Sequence, residues 1–110
     1  MNTLRNRVQL IGNLGNDPEI INLEDGKKIA KFSIATNETY KNAQGDKIEN
    51  TYWHNLIAWN KTAEIVEKYL LKGKEIAIEG KLTNRSYETE EGETKYVTEV
   101  LVNEILMLGR

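Results

Sequence analysis

The chain has 110 residues and no cysteine, which bounds it to one domain with a core of its own and removes disulfides, thiolate metal sites and cysteine nucleophiles. Fifteen Lys and Arg against 17 Asp and Glu leave a net charge of −2, not the basic excess usual for a nucleic-acid partner. No apolar run approaches the ~20 residues of a membrane span, and the opening "MNTLRNRVQL" lacks the apolar block of a signal peptide, so a soluble, cytoplasmic protein is expected.

Short alternating runs dominate the first half. In "RVQLIGNL" Val8, Leu10 and Leu14 share one side, and Arg7, Gln9 and Asn13 the other. The single proline, Pro18, marks a turn in "GNDPEI". The stretch "IINLEDGKKIAKFSIAT" reads as a hairpin, because Asp25-Gly26 suits the left-handed dihedrals of a tight turn. A second long strand then runs from Ile29 to Asn37, with Ala30, Phe32 and Ile34 on one face. "KNAQGDK" is a polar loop, and "TYWHNLIAW" is the third strand.

The period then changes. In "NKTAEIVEKYLLKG", Thr62, Ile65, Val66, Tyr69 and Leu70 recur at helical spacing. Asn60 is the expected N-cap, Glu64 and Lys68 are placed to pair, and Gly73 stops the helix. Strand pattern resumes in "KEIAIEGKLTNRSY", with Ile76, Ile78 and Leu82 on one side and Lys81, Thr83, Arg85 and Tyr87 on the other. An acidic hairpin tip, "ETEEGETK", leads into the last strand, "YVTEVLVNEILML".

The order is three strands, one helix, two strands. It predicts an all-β fold over residues 1–110: a five-stranded Greek-key barrel, the OB-fold, with its one helix between strands 3 and 4. Such barrels bind oligonucleotides or oligosaccharides on the strand 2–3 face and adjoining loops.

The third strand concentrates rings, since both tryptophans and the only histidine fall within it. Alternation sorts it into two faces. Trp53, Asn55, Ile57 and Trp59 point one way. Tyr52, His54, Leu56 and Ala58 point the other and suit a core or a subunit contact. Two indoles and an amide in one line are poor core material, because each N–H needs a partner when buried. Tyr87 shares a strand face with Arg85 and Lys81, and Tyr40 precedes Lys41 where a strand meets a loop. Rings interleaved with cations hold single-stranded nucleic acid, bases stacking at ~1–3 kcal/mol each and Lys or Arg meeting phosphates. The clustering of Glu88, Glu90, Glu91 and Glu93 in the hairpin tip leaves room for a basic groove elsewhere. Strict alternation places Tyr40 on the Phe32 face, so a bulge or the strand's end must turn it outward.

In register, "NRVQLIGNLGNDPE", "FSIATNETY", "TYWHNLIAW", "AEIVEKYLLKGKEIAIEGKL" and "YVTEVLVNEILMLG" resemble the bacterial single-stranded-DNA-binding proteins. The resemblance runs from about Asn6 to the end. It implies an OB-fold homotetramer, with a dimer as the alternative. Such a protein coats single-stranded DNA without sequence preference in replication, recombination and repair, and needs no cofactor. Carried over by position, it implies base stacking by Tyr40, Trp53, Trp59 and Tyr87. It implies phosphate contacts by Arg7, Lys61, Lys72, Arg85 and Lys95, and puts His54 at a subunit interface.

This chain departs from the pattern in having tyrosine at 40 and 87 where tryptophan is frequent, and Asn55 where arginine is frequent. Thr83 and Ser86 stand where basic residues are common, and the hairpin tip is acidic. Each change lowers the expected phosphate attraction. The sequence stops at "LMLGR", where such proteins usually continue into a flexible tail with an acidic tip, so tail-mediated partners are not supported by these residues.

The competing class is an OB-fold adaptor whose rings meet protein; exposure of the rings beside cations on one face separates the two. An enzyme is not expected. One histidine without partners is poor material for acid–base chemistry or a metal site. Gly12 and Gly15 lack the third glycine and the strand-to-helix setting of a dinucleotide fingerprint, and read as turn and close-packing sites.

Overall fold

The computed structural model describes residues 5–108. The strands are β1 (Val8–Leu14), β2 (Glu19–Asn22), β3 (Lys28–Lys41), β4 (Lys47–Trp59), β5 (Glu75–Glu88) and β6 (Thr94–Met107), with α1 (Asn60–Tyr69) between β4 and β5. Five of these strands close in the order β1-β5-β6-β4-β3, and β3 returns to β1 through Asn13 opposite Ala35 and Leu14 opposite Ile34. The β4–β6 pairing is parallel, Leu56 facing Val100, and every other ladder is antiparallel. This is the OB-fold. The short β2, the first arm of the Asp25-Gly26 hairpin, adds a sixth strand at the edge of β3.

Closure depends on a close approach. A Cβ on Gly12 would stand 2.3 Å from the Ala35 carbonyl oxygen, so only glycine lets β3 come in against β1 there. On the other side, the β5–β6 register shifts between Glu79 and Gly80. Glu79 faces Glu104 but Gly80 faces Val102, so Asn103 has no opposite and the sheet bends around the barrel.

The inward face carries Ala30, Phe32 and Ile34 from β3, Leu56 and Ala58 from β4, and Ile76 and Ile78 from β5, all buried. Helix α1 closes the barrel with a narrow stripe, Ala63 and Val66, continued by Leu70. Three expectations for the helix fail. Ile65 and Tyr69, at helical spacing, are 41% and 55% exposed, because only the 63/66/70 stripe meets the barrel. Asn60 is not the N-cap. Trp59 holds that position without a side-chain cap, and Asn60 adopts the left-handed region (φ 52°). There its Oδ1 accepts a hydrogen bond from the Lys28 backbone N–H at 3.2 Å, and so is not free for the helix. Glu64 and Lys68 do not pair; the helix's ion pair is Glu67 with Lys28 of β3.

The two long hairpins outrun the barrel. The radius of gyration is 16.2 Å, against about 13 Å for a compact chain of this length. From about Thr36 to Tyr52 and from Lys81 to Thr98, most residues are exposed on both faces. Leu82 belongs to this region. It keeps the parity of Ile78 but is 48% exposed, because it stands on the projecting arm rather than over the core.

Candidate nucleic-acid interface

Alternation holds along β4 and divides its rings as read from the sequence. Trp53 is 62% exposed and Trp59 41%, whereas Leu56 and Ala58 are buried; Tyr52, on the Leu56 face, is nonetheless 46% exposed, because it stands where the hairpin leaves the core. The six-residue separation places the two indoles about 20 Å apart on one face, a span that several unstacked nucleotides can bridge. Ile57, which shares their parity, is nonetheless buried. It lies where β4 runs against Leu101 of β6, a pairing made by residues far apart in sequence.

Trp53 has a seat. A Cβ on Gly15 would fall 2.2 Å from the outer edge of its six-membered ring, so the indole lies directly over the glycine backbone. Gly15 donates its N–H to the Ser33 carbonyl at 3.1 Å, and Ser33 Oγ donates to Asn16 Oδ1 at 3.0 Å. The β1–β2 loop is thereby tied to the outer face of β3, and the tryptophan rests on that junction.

Beside this junction runs a groove of about 300 Å³ lined by residues of both hairpins. Lys31 and Ser33 come from β3, Asn55 from β4, Arg85 from β5, Glu99 from β6, and Glu19 from β2. Two cations and two carboxylates line it, so the groove itself is neutral. Glu99 is 7% exposed, the one buried charged residue among the described residues. It is held by Arg85: Nε donates to Oε1 at 2.9 Å and Nη2 to Oε2 at 3.3 Å. The Glu99 hydrogen bond, and then its charge, push the Arg85 pKa further up. Arg85 is therefore a fixed, permanently charged group with its charge already matched.

The remaining sequence-chosen residues separate. Tyr87 is 46% exposed on the Arg85 face of the arm, directly opposite Lys95. Lys72 lies in the turn after α1, where its backbone N–H donates to Asp17 Oδ1 at 2.8 Å, one residue from groove-lining Asn16. Lys61 follows Trp59 by two residues on the first turn of α1. Lys61, Lys72 and Lys95 are exposed and make no ion pair among the described residues. These residues share the neighbourhood of the tryptophans and the groove.

Arg7 and Tyr40 do not join them. Arg7 Nε pairs with Glu79 at 2.8 Å, beside the outer face of β1, β5 and β6. Tyr40 faces Ile48 in a β3–β4 register that runs unbroken from Ile29–Trp59 to Lys41–Lys47. No bulge turns it, so it stays on the face opposite Trp53. It is 51% exposed because the hairpin has left the barrel by that point. His54 lies on that same inner face, opposite Ile34 and half-buried, with Nε2 3.0 Å from Thr36 Oγ1.

Sequence reasoning missed Glu99, Lys31, Ser33 and Asn16 as groove residues. Glu99 had a signal: a carboxylate inside the apolar run "VTEVLV". It also had no way to see that Gly15 packs specifically under Trp53.

A second surface is different in kind. Around Ile11, Ala77 and Leu106 the outer face of β1, β5 and β6 forms a concavity of about 690 Å³. Ile11 is 59% exposed and Leu106 63%.

Residues 5–108 match the single-strand binding protein family. The chain belongs to that family. It is 43% identical over 105 residues to single-stranded DNA-binding protein 1 of Chlorobaculum tepidum, covering 94% of this chain and 65% of that relative. It is 42% identical over 106 residues to single-stranded DNA-binding protein 1 of Xylella fastidiosa, covering 96% and 78%. It is 39% identical to the single-stranded DNA-binding protein of Neisseria meningitidis, covering 94% and 60%. The chain thus spans about two thirds of the length of these relatives. Among solved structures, the Plasmodium falciparum SSB in complex with ssDNA superposes with a TM-score of 0.87 at 30% identity, covering 94% of this chain and 95% of that one. Among the described residues of this family member, no helix is long and apolar enough to cross a membrane.

Proposed function

We propose that this chain binds single-stranded DNA and coats it without requiring a particular sequence, in replication, recombination and repair in the cytoplasm. The carrying observation is the exposure of Trp53, Trp59 and Tyr87 along a surface that also bears Lys61, Lys72 and Lys95 without carboxylate partners among the described residues. Bases stack on the rings, and the lysines meet phosphates at the rim. Relatives named as single-stranded-DNA-binding, and a neighbour of the same fold bound to single-stranded DNA, support this reading. The action is passive. A strand lying on the rings cannot re-pair, and no bond is made or broken, so neither catalytic residue nor cofactor is required.

Tyr40, on the far side of the β3–β4 hairpin, reaches the strand only where DNA passes around the hairpin's free end. Arg7 serves a phosphate only by sharing itself with Glu79. The apolar outer face of β1, β5 and β6 fits a second copy of the chain, the self-association of a homotetramer or dimer, and His54 is assigned to a subunit contact.

The test is tryptophan fluorescence. Titration with oligo-dT should quench the emission at low salt and micromolar protein, and the affinity should fall as salt rises. Emission unchanged by oligo-dT would remove the DNA reading and favour a protein-binding adaptor.

A further inference from the structure

The geometry points to a base-reading subsite in the groove beside Trp53, in which Arg85, positioned by Glu99, takes the O6/N7 edge of a guanine. This rests on the single-strand reading above and adds a preference to it.

A guanidinium has five N–H donors. Arg85 spends one from Nε and one from Nη2 on the two carboxylate oxygens of Glu99. The pair is therefore side-on, and it leaves the outer edge between Nη1 and Nη2 without an acceptor in the described residues. That edge is a two-pronged donor, and Arg85 is 47% exposed at its side chain, so a ligand can reach it. Glu99 is almost wholly buried and cannot swing away with it. The fork is thus fixed in place before any strand arrives.

Three groups of a single strand offer paired acceptors to such a fork: a phosphodiester, the O6/N7 edge of guanine, and the O2/N3 edge of an unpaired cytosine. Charge separates the phosphate from the bases, and the larger stacking face of a purine on Trp53 favours guanine over cytosine. Arg85 with Glu99 sums to zero, and Lys31 with Glu19 adds nothing to the groove. A phosphate entering it would gain no net attraction, and would sit near two carboxylates. A base edge carries no charge to repel. Position agrees: Asn16, which lines the groove, adjoins Gly15, on which Trp53 rests. A base stacked on that indole turns its edge toward the groove, while Lys72 and Lys95, without ion pairs among the described residues, remain outside for the backbone. Arg85 is then a specificity-determining residue and Glu99 its positioning residue.

The experiment compares oligo-dT with the same strand carrying guanines spaced singly among thymines, read by tryptophan quenching over a range of salt. Binding to the guanine strand is expected to be about fivefold tighter, the low end for one bidentate base contact. Replacing guanine with 7-deazaguanine, which lacks N7, should lower that gain. Arg85→Lys, which keeps the charge and loses the fork, should erase the preference, as should Glu99→Gln, which keeps the shape and frees the guanidinium. Arg85→Ala combined with Glu99→Gln, which removes the cation without leaving an unmatched carboxylate, should weaken binding to the guanine strand while leaving the salt slope unchanged. Equal affinity of the wild-type protein for the two strands, or a slope that falls by about 0.7 in that double variant as one lost phosphate contact on a single strand requires, overturns the subsite. In either case oligo-dT still quenches, so its loss is distinct from failure of the single-strand reading, which no quenching by either strand would signal.

Discussion

The outer face around Ile11, Ala77 and Leu106 and the surface around Trp53 and Trp59 both leave large apolar side chains in solvent, yet they are built differently. The first is mostly aliphatic, with Gln9, Glu79 and Glu104 among the residues that line it. The second is aromatic and broken up by Asn55, Ser33, Lys31 and the Arg85–Glu99 pair. A face that is mostly aliphatic, with few hydrogen-bonding groups, is covered by more of the same, so it suits a flat protein partner such as a second copy. Flat rings separated by donors and acceptors suit a ligand that alternates flat bases with polar edges and phosphates. Exposure alone does not separate the two functions; what lies between the exposed groups does.

The sharpest way to break this comparison is to charge the aliphatic face. Ile11→Glu should leave the monomer's fold intact, since Ile11 is exposed within one chain. In a self-association built on that face each copy would bury an unpaired carboxylate, at about 3–5 kcal/mol apiece. Light scattering should show a smaller assembly, with affinity for a short oligonucleotide changed little. An unchanged mass would remove the face from the assembly.

Next in size is loss of the indoles. Trp53→Ala with Trp59→Ala removes two stacking platforms, about 1–3 kcal/mol each, so affinity for oligo-dT should fall between about thirtyfold and about twenty-thousandfold. Melting temperature should hardly move, because both rings are largely outside the core. A large drop in thermal stability with near-normal binding would place them in packing instead.

These two faces were not equally legible in the sequence. The Trp53/Trp59 face could be read because alternation on β4 survives intact, and a strand's period needs only neighbouring residues. The groove could not, since Arg85 and Glu99 are 14 residues apart, across a hairpin, and both face β3 through barrel closure. Tyr40 shows the limit from the other side. Its parity was correct from the sequence, and the unbroken register keeps it on the Phe32 face. It is exposed because the hairpin outruns the core, and hairpin length beyond a barrel is a tertiary property. Ile57 reverses the lesson: its parity was right, but parallel pairing with β6 buried it.

A smaller effect tests the seat rather than the ring. In Gly15→Ala the new methyl would stand 2.2 Å and 2.7 Å from two atoms of the Trp53 ring, so the indole must move off the β1–β2 loop. Up to one stacking contact is at stake, about 1–3 kcal/mol, and the emission maximum of the free protein should shift as the ring changes surroundings. Wild-type affinity and an unshifted spectrum would mean that Trp53 works without its support.

The smallest effect is electrostatic, and it sets two cations of one arm against each other. Lys95 stands opposite Tyr87 with no acidic partner among the described residues, while Arg85, on the same face, is matched by Glu99. Only an unmatched cation releases counterions when a phosphate arrives. Lys95→Ala should therefore lower the slope of log affinity against log salt by about 0.7, the value for one single-strand phosphate, and cost little affinity at high salt. A slope insensitive to Lys95 would mean that the acidic tip, Glu88 to Glu93, already cancels its field. Phosphate attraction would then have to come from the lysines at the other end of the site, Lys61 and Lys72, and the strand would be anchored nearer Trp59 than Tyr87.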